Sequence, residues 1–197
     1  KHIDESTTMP STLPKKPHLI SPEDYLAQEA ESGEKCEYVD GEIYAMTGTT
    51  VRHNRIALDV AILLKSHLKG HTCETFIADI KVHAARANAF YYPDVVVRCN
   101  PTPLADETRV IDDPTLIVEV LSPSTEAIDR REKLAAYRRI PSVQEYVLIA
   151  QSERSVEIYR RQSDINWSYL AFADDEAVTL DSVGLTLPMN LIYSIDA

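Results

Sequence analysis

The 197 residues are 44% hydrophobic and 26% charged, enough apolar material for one α/β domain with a packed core. The formal net charge of −11 excludes a protein coated in phosphate-binding charge, so any nucleic-acid contact has to be local. No apolar run approaches the roughly 18 residues of a membrane span, and the N-terminal residues lack the apolar stretch of a secretory signal.

These features, with Cys36, Cys73 and Cys99, lead to the expectation of a cytoplasmic protein. The cysteines are odd in number, widely spaced and without a CxxC, so neither a disulfide framework nor a thiolate zinc site is expected. Residues 1–18 are polar and Pro-rich and predict a disordered arm ahead of a single domain over 19–197, with Met9 a candidate start.

In chain order, "SPEDYLAQEAES" predicts a short helix, with Ser21 as N-cap, Pro22 at the first helical position and acids in the first turn. "KCEYVDGEIYAM" reads as a hairpin around Asp40-Gly41, the pair favoured in a type I′ turn. From Thr50 to Lys69, Ile56, Val60, Leu63, Leu64 and Leu68 recur at helical spacing, and Gly70 suits a C-terminal stop.

"TCETFIADIKVHA" alternates as a strand, and "AFYYPDVVVRC" follows as another, with a local irregularity at Pro93. After a loop over 100–113, "PTLIVEVL" has the unbroken apolar character of a strand covered on both faces. "STEAIDRREKLAAYRRIP" is a helix ended by Pro141, and the remainder reads as antiparallel strands at "QEYVLIA", "SVEIYRR", "WSYLAFA" and near "LTLP". The expected fold is α/β (α+β), a mixed β-sheet flanked by helices.

Two strands carry an acid where one does not belong. Glu119 interrupts the apolar run of residues 116–121, and Asp94 stands at the head of Val95, Val96 and Val97. An unpaired buried carboxylate costs several kcal/mol, so each acid is either neutralised or given a cation. That cation is either a Lys or Arg partner or a shared divalent ion with oxygen ligands. Asp94 also reads as a turn residue beside Pro93. On the following helix Asp129, Lys133 and Tyr137 fall at i, i+4 and i+8, either aimed at the two acids or forming a solvated surface pair. From Asp129 to Arg161 eight bases stand against five acids, a local positive excess on an acidic chain.

At "YYPDVVV", "LIVEVLSPSTEAIDRREKLAAYRRIPSVQEYVLI" and "CEYVDGEIYAMTGTTVRHNRI" the chain resembles the Uma-two family of restriction-endonuclease-like proteins, in the PD-(D/E)XK nuclease superfamily, over roughly residues 20–190. The resemblance implies a restriction-endonuclease-like fold. It also implies a Mg²⁺ or Mn²⁺ ion held by Asp94, Glu119 and the Val120 carbonyl, and hydrolysis of DNA phosphodiester bonds. The superfamily often places a Lys two residues after the Glu, where this chain has Leu121. The lysine role then falls to Lys133, with Lys81 in "DIKV" as the second candidate. Glu37 matches the superfamily's additional upstream acid, and His53 matches a family position near the site or is a helix-surface residue. A homodimer is expected, because two copies related by a two-fold are the simplest way to cut both strands of a duplex. A catalytically inactive nucleic-acid-binding module and a protein-interaction module are the alternatives.

Overall fold

The computed structural model describes residues 19–46 and 48–194, so the N-terminal arm expected over 1–18 lies outside the described residues. Helix α1 (Pro22–Ser32) begins where the Ser21 hydroxyl accepts the Asp24 N–H, and it ends at Gly33 in the left-handed conformation. Strands β1 (Cys36–Val39) and β2 (Glu42–Ala45) pair around Asp40 and Gly41, which both have positive φ, as a type I′ turn requires. Helix α2 (Val51–His67) is capped by the Thr50 hydroxyl and buries Ile56, Val60 and Leu64.

The next two expected strands both divide, and that division makes the molecule. Residues 72–84 form β3 (Cys73–Ile77) and β4 (Lys81–Ala84), which lie in different sheets, with Ala78 between them at φ 37°. Residues 89–99 likewise form β5 (Ala89–Tyr91) and β6 (Val95–Cys99). The second break falls at Tyr92-Pro93-Asp94, because Pro93 has no N–H to continue a ladder. The Ala78 N–H bonds the Asp94 carbonyl, so the two crossings are tied together.

The loop carries the short strand β7 (Val110–Ile111) and leads into β8 (Leu116–Leu121). A helical segment then runs through α3 (Glu126–Ile128), a π-helical turn (Asp129–Lys133) and α4 (Leu134–Tyr137). Strands β9 (Glu145–Ala150), β10 (Ser155–Arg161) and β11 (Trp167–Ala173) follow, then the ribbon β12 (Ala177–Leu180) and β13 (Leu185–Pro188), and finally α5 (Met189–Ile192). Strand β9 is not antiparallel to its predecessor. It pairs parallel with β8, as expected of strands joined by a helical crossover, whereas β10 pairs antiparallel with both β9 and β11.

The expected mixed α+β fold is present, as two large sheets and the two-stranded β12–β13 ribbon rather than one sheet. A six-stranded sheet has the order β11-β10-β9-β8-β6-β3, and a five-stranded sheet has the order β2-β1-β5-β4-β7. One face of the larger sheet, bearing Val95, Val118 and Val120, packs against Ile56, Val60 and Leu64 of α2. The other face, bearing Val96, Ile117 and Leu121, packs against Ala136 and Tyr137 of α4 and Val82 and Tyr91 of the smaller sheet. Alternation along β8 therefore aims Glu119 at α4.

The expectation of reduced thiols is corrected for two of the three cysteines. Cys73 and Cys99 are direct partners across β3 and β6 and are joined as a disulfide, while Cys36 is free. Their separation of 26 residues spans β4 and β5, so only the β3–β6 pairing reveals that they face each other. Among the described residues no helix is long and apolar enough to cross a membrane.

Candidate active site

Glu119 is 4% exposed, and its Oε1 accepts from Lys133 Nζ and from the Tyr137 hydroxyl, each at 3.1 Å. Lys133 Nζ also lies 3.1 Å from Glu37 Oε1 and 3.3 Å from Asp129 Oδ1. An ammonium has three N–H groups, and here three carboxylates surround it. They come from β1, from β8 and from the lysine's own π-helical turn. Tyr91 closes another side, 5.6 Å below the ammonium, and itself meets the Tyr137 ring edge-on.

Asp94 stands one step beyond the Val95–Val118 register pair, opposite Glu119. Its Oδ2 accepts the Val120 N–H at 2.8 Å and lies 3.3 Å from His53 Nε2. The Glu37 carboxylate accepts the Tyr92 N–H at 3.2 Å, so it is fixed to the segment that carries Pro93 and Asp94. Asp129 is 2% exposed and is anchored through its carbonyl by the Tyr146 hydroxyl at 3.1 Å.

The electrostatics follow from four acids in one partly dry place. Burial pushes the Glu119 carboxyl well above its ordinary range; Lys133 opposes this, and the charges of Asp129, Asp94 and Glu37 add to it. Burial alone would lower Lys133, but Glu119, Glu37 and Asp129 outweigh it and hold the ammonium well above its usual value. His53 feels the same balance: burial lowers it, and the Asp94 carboxylate, the Val120 carbonyl and Asp129 together raise it above its ordinary value. Tyr137 is raised well above the usual phenol range by burial and by Glu119, so it remains a hydrogen-bond donor.

The structure thus brings together Glu37, Glu119, Lys133 and Tyr137, and sets Asp94, Val120 and His53 beside them. Lys81 goes elsewhere. Its ammonium is bonded to Glu29 and, at 3.1 Å, to the Tyr92 hydroxyl, which itself donates to Glu29 at 2.8 Å. That cluster ties α1 to β4 and to the residue ahead of Pro93. Asp129, expected on the Lys133 face, is a buried member of the cluster rather than a surface partner. The Asp-x-x-x-Lys-x-x-x-Tyr spacing was the only sequence signal for it, and the π-helical turn that sets Asp129 beside Lys133 had none.

Among the described residues no three His, Cys, Asp or Glu side chains converge so as to hold an ion by themselves. The set still fits one kind of ion. Four carboxylates face one lysine and one histidine, Asp129 Oδ1 and His53 Nδ1 are buried without a hydrogen bond, and a cation deficit remains. Mg²⁺ keeps several of its waters and binds through one or two carboxylates, which suits Asp94 and Glu119.

A family model named Uma2 and described as "Putative restriction endonuclease" matches residues 22–190. The chain belongs to the Uma2 family. This Uma2 chain is 37% identical over 174 residues to "Uncharacterized protein slr1290" of Synechocystis sp., a match covering 88% of this chain and 91% of that one. It is 33% identical over 150 residues to "Uncharacterized protein sll1609" of the same organism, covering 76% and 85%. The crystal structure of "a putative nuclease belonging to DUF820" from Anabaena variabilis superposes with a TM-score of 0.73 at 20% identity, over 89% of this Uma2 chain and 98% of that chain. At that identity the likeness establishes the fold.

Proposed function

We propose that this Uma2 chain is a Mg²⁺- or Mn²⁺-dependent endonuclease that hydrolyses DNA phosphodiester bonds. The observation that carries the reading is the excess of carboxylate over cation around Glu119, with Asp94 one residue ahead of the Val95–Val118 pair. Asp94, Glu119 and the Val120 carbonyl would hold the ion. The ion would supply charge neutralisation at the phosphate and a lowered pKa for an attacking water. Lys133 holds Glu119, Glu37 and Asp129 in place and, as an ammonium, offers positive charge to a phosphate oxygen once one of its carboxylates turns to a metal. Glu37 fixes the Asp94 segment through Tyr92, and Tyr137 orients Glu119. His53 steadies Asp94 from the opposite side. The protein acts as a homodimer, each copy cutting one strand.

Plasmid nicking tests this, with Mg²⁺ or Mn²⁺, with EDTA, and with Glu119→Ala purified identically. Metal-dependent nicking by the wild type alone supports the reading, and equal nicking by both proteins overturns it. One observation favours a second reading, a non-catalytic nucleic-acid-binding module: the Lys133 ammonium is already surrounded by three carboxylates within 3.3 Å. Salt-sensitive DNA binding without turnover in any metal would select it.

A further inference from the structure

The sheet face that α4 covers over β8 and β9 continues, only partly covered, over β10 and β11, where Glu157 also stands. Tyr146, Tyr159 and Tyr169 are successive cross-strand partners there, with ring centroids 6.4 and 5.3 Å apart, and Tyr169 at the end is 55% exposed. The next partners on this face are Arg161 and Trp167. The Trp167 ring, half-buried, lies 4.5 Å from the Arg161 guanidinium and 5.6 Å from that of Arg138.

These arginines lack the carboxylate partners that four others have. Arg98, Arg130, Arg154 and Arg160 each meet a carboxylate. Arg161 spends its N–H groups on the backbone carbonyls of Arg138, Ile140 and Val143. Among the described residues Arg131, Arg138 and Arg139 make no ion pair, and all three are exposed. On a chain of net charge −11, guanidinium groups without acids stand out. The end of a helix favours cations, which accounts for Arg138 and Arg139 but not for aromatic rings presented beside them.

We propose that Trp167 and Tyr169, with Arg138 and Arg161, form a platform for single-stranded nucleic acid, bases stacking on the rings and phosphates lying against the guanidinium groups. The chemistry of the face selects this ligand. Flat aromatic faces engage bases only where those bases are unstacked, and uncompensated arginines complement a phosphate backbone rather than a neutral partner. Arg138 follows Lys133 by five residues, so the platform borders the helical segment that carries the cluster's lysine, with Lys133 buried and Arg138 exposed. This inference rests on the nucleic-acid part of the proposed function but not on turnover.

Trp167 is the chain's one tryptophan, so it reports directly. A short oligothymidylate is titrated into the wild-type protein in EDTA at low salt, following tryptophan emission and, with a labelled copy, anisotropy. Saturable quenching is expected at the concentration where anisotropy rises, with both weakening as salt is added. The exposed pair Arg138→Gln with Tyr169→Ala, folded by its unchanged melting temperature, is expected to bind about tenfold more weakly. Anisotropy without quenching, or full affinity in that variant, overturns the platform and leaves the nuclease reading standing. Equal quenching by duplex of the same length, or by polyglutamate, replaces single-stranded nucleic acid as the ligand and also overturns it. Absence of binding to either form of DNA overturns the platform, and metal-dependent plasmid nicking then decides the nuclease reading by itself.

Discussion

Lys133 Nζ sits 3.1 Å from Glu119 Oε1 in a place where both side chains are almost wholly buried. Removing either partner of such a pair leaves the other charge stranded, and here the lysine answers to two further acids. Lys133→Met is therefore expected to cost about 3–5 kcal/mol of stability. Millimolar Mg²⁺ should restore part of the loss, because a divalent ion substitutes for the missing cation. Chemical denaturation with and without Mg²⁺ measures both effects.

A second expectation concerns the ion itself. Binding to the folded state alone stabilises by about 2.7 kcal/mol at a hundredfold excess over Kd. For a chain of this size that is a melting-temperature rise of about 5–10 °C. Mn²⁺ should raise the melting temperature of the wild type by that order and leave Asp94→Asn and Glu119→Gln unmoved. A rise in all three proteins would place the ion elsewhere.

The two lysines are separable by the same measurement. Lys81 is bonded to Glu29 and Tyr92, away from Glu119. Lys81→Met should destabilise by about 3 kcal/mol by stranding Glu29, yet keep the full Mn²⁺-induced rise. Loss of that rise would return Lys81 to the site.

His53 gives the pH dependence. Its pKa is raised in the folded state, with burial working against Asp94, the Val120 carbonyl and Asp129. A raised folded value means that the protonated ring stabilises the fold fully below the unfolded histidine pKa. That contribution fades as pH rises through the folded value. In EDTA, the melting-temperature gap between wild type and His53→Gln should be wider near about pH 6 than near about pH 8.5. Metal binding should strengthen over the same interval as the competing proton leaves.

The Cys73–Cys99 bond is checked by intact mass before and after reduction. Closing 26 residues in the unfolded chain predicts that Cys73→Ser costs about 3 kcal/mol.

Local patterns in the chain were enough for several elements. Ser21-Pro22 started α1, Asp40-Gly41 turned the first hairpin, and the spacing of Ile56, Val60 and Leu64 made α2, because caps, turns and periodicity act over a few residues. The unease of an acid within β8 was legible too, since burial of a charge is costly wherever the strand lies. What the chain could not disclose depends on contacts between distant segments. The division of residues 72–84 and 89–99 between two sheets, the meeting of Cys73 with Cys99, and the allotment of Lys81 to Glu29 and of Lys133 to Glu37 and Glu119 all arise from sheet pairing. A carboxylate states that it requires a cation, and only the packed fold decides which one reaches it.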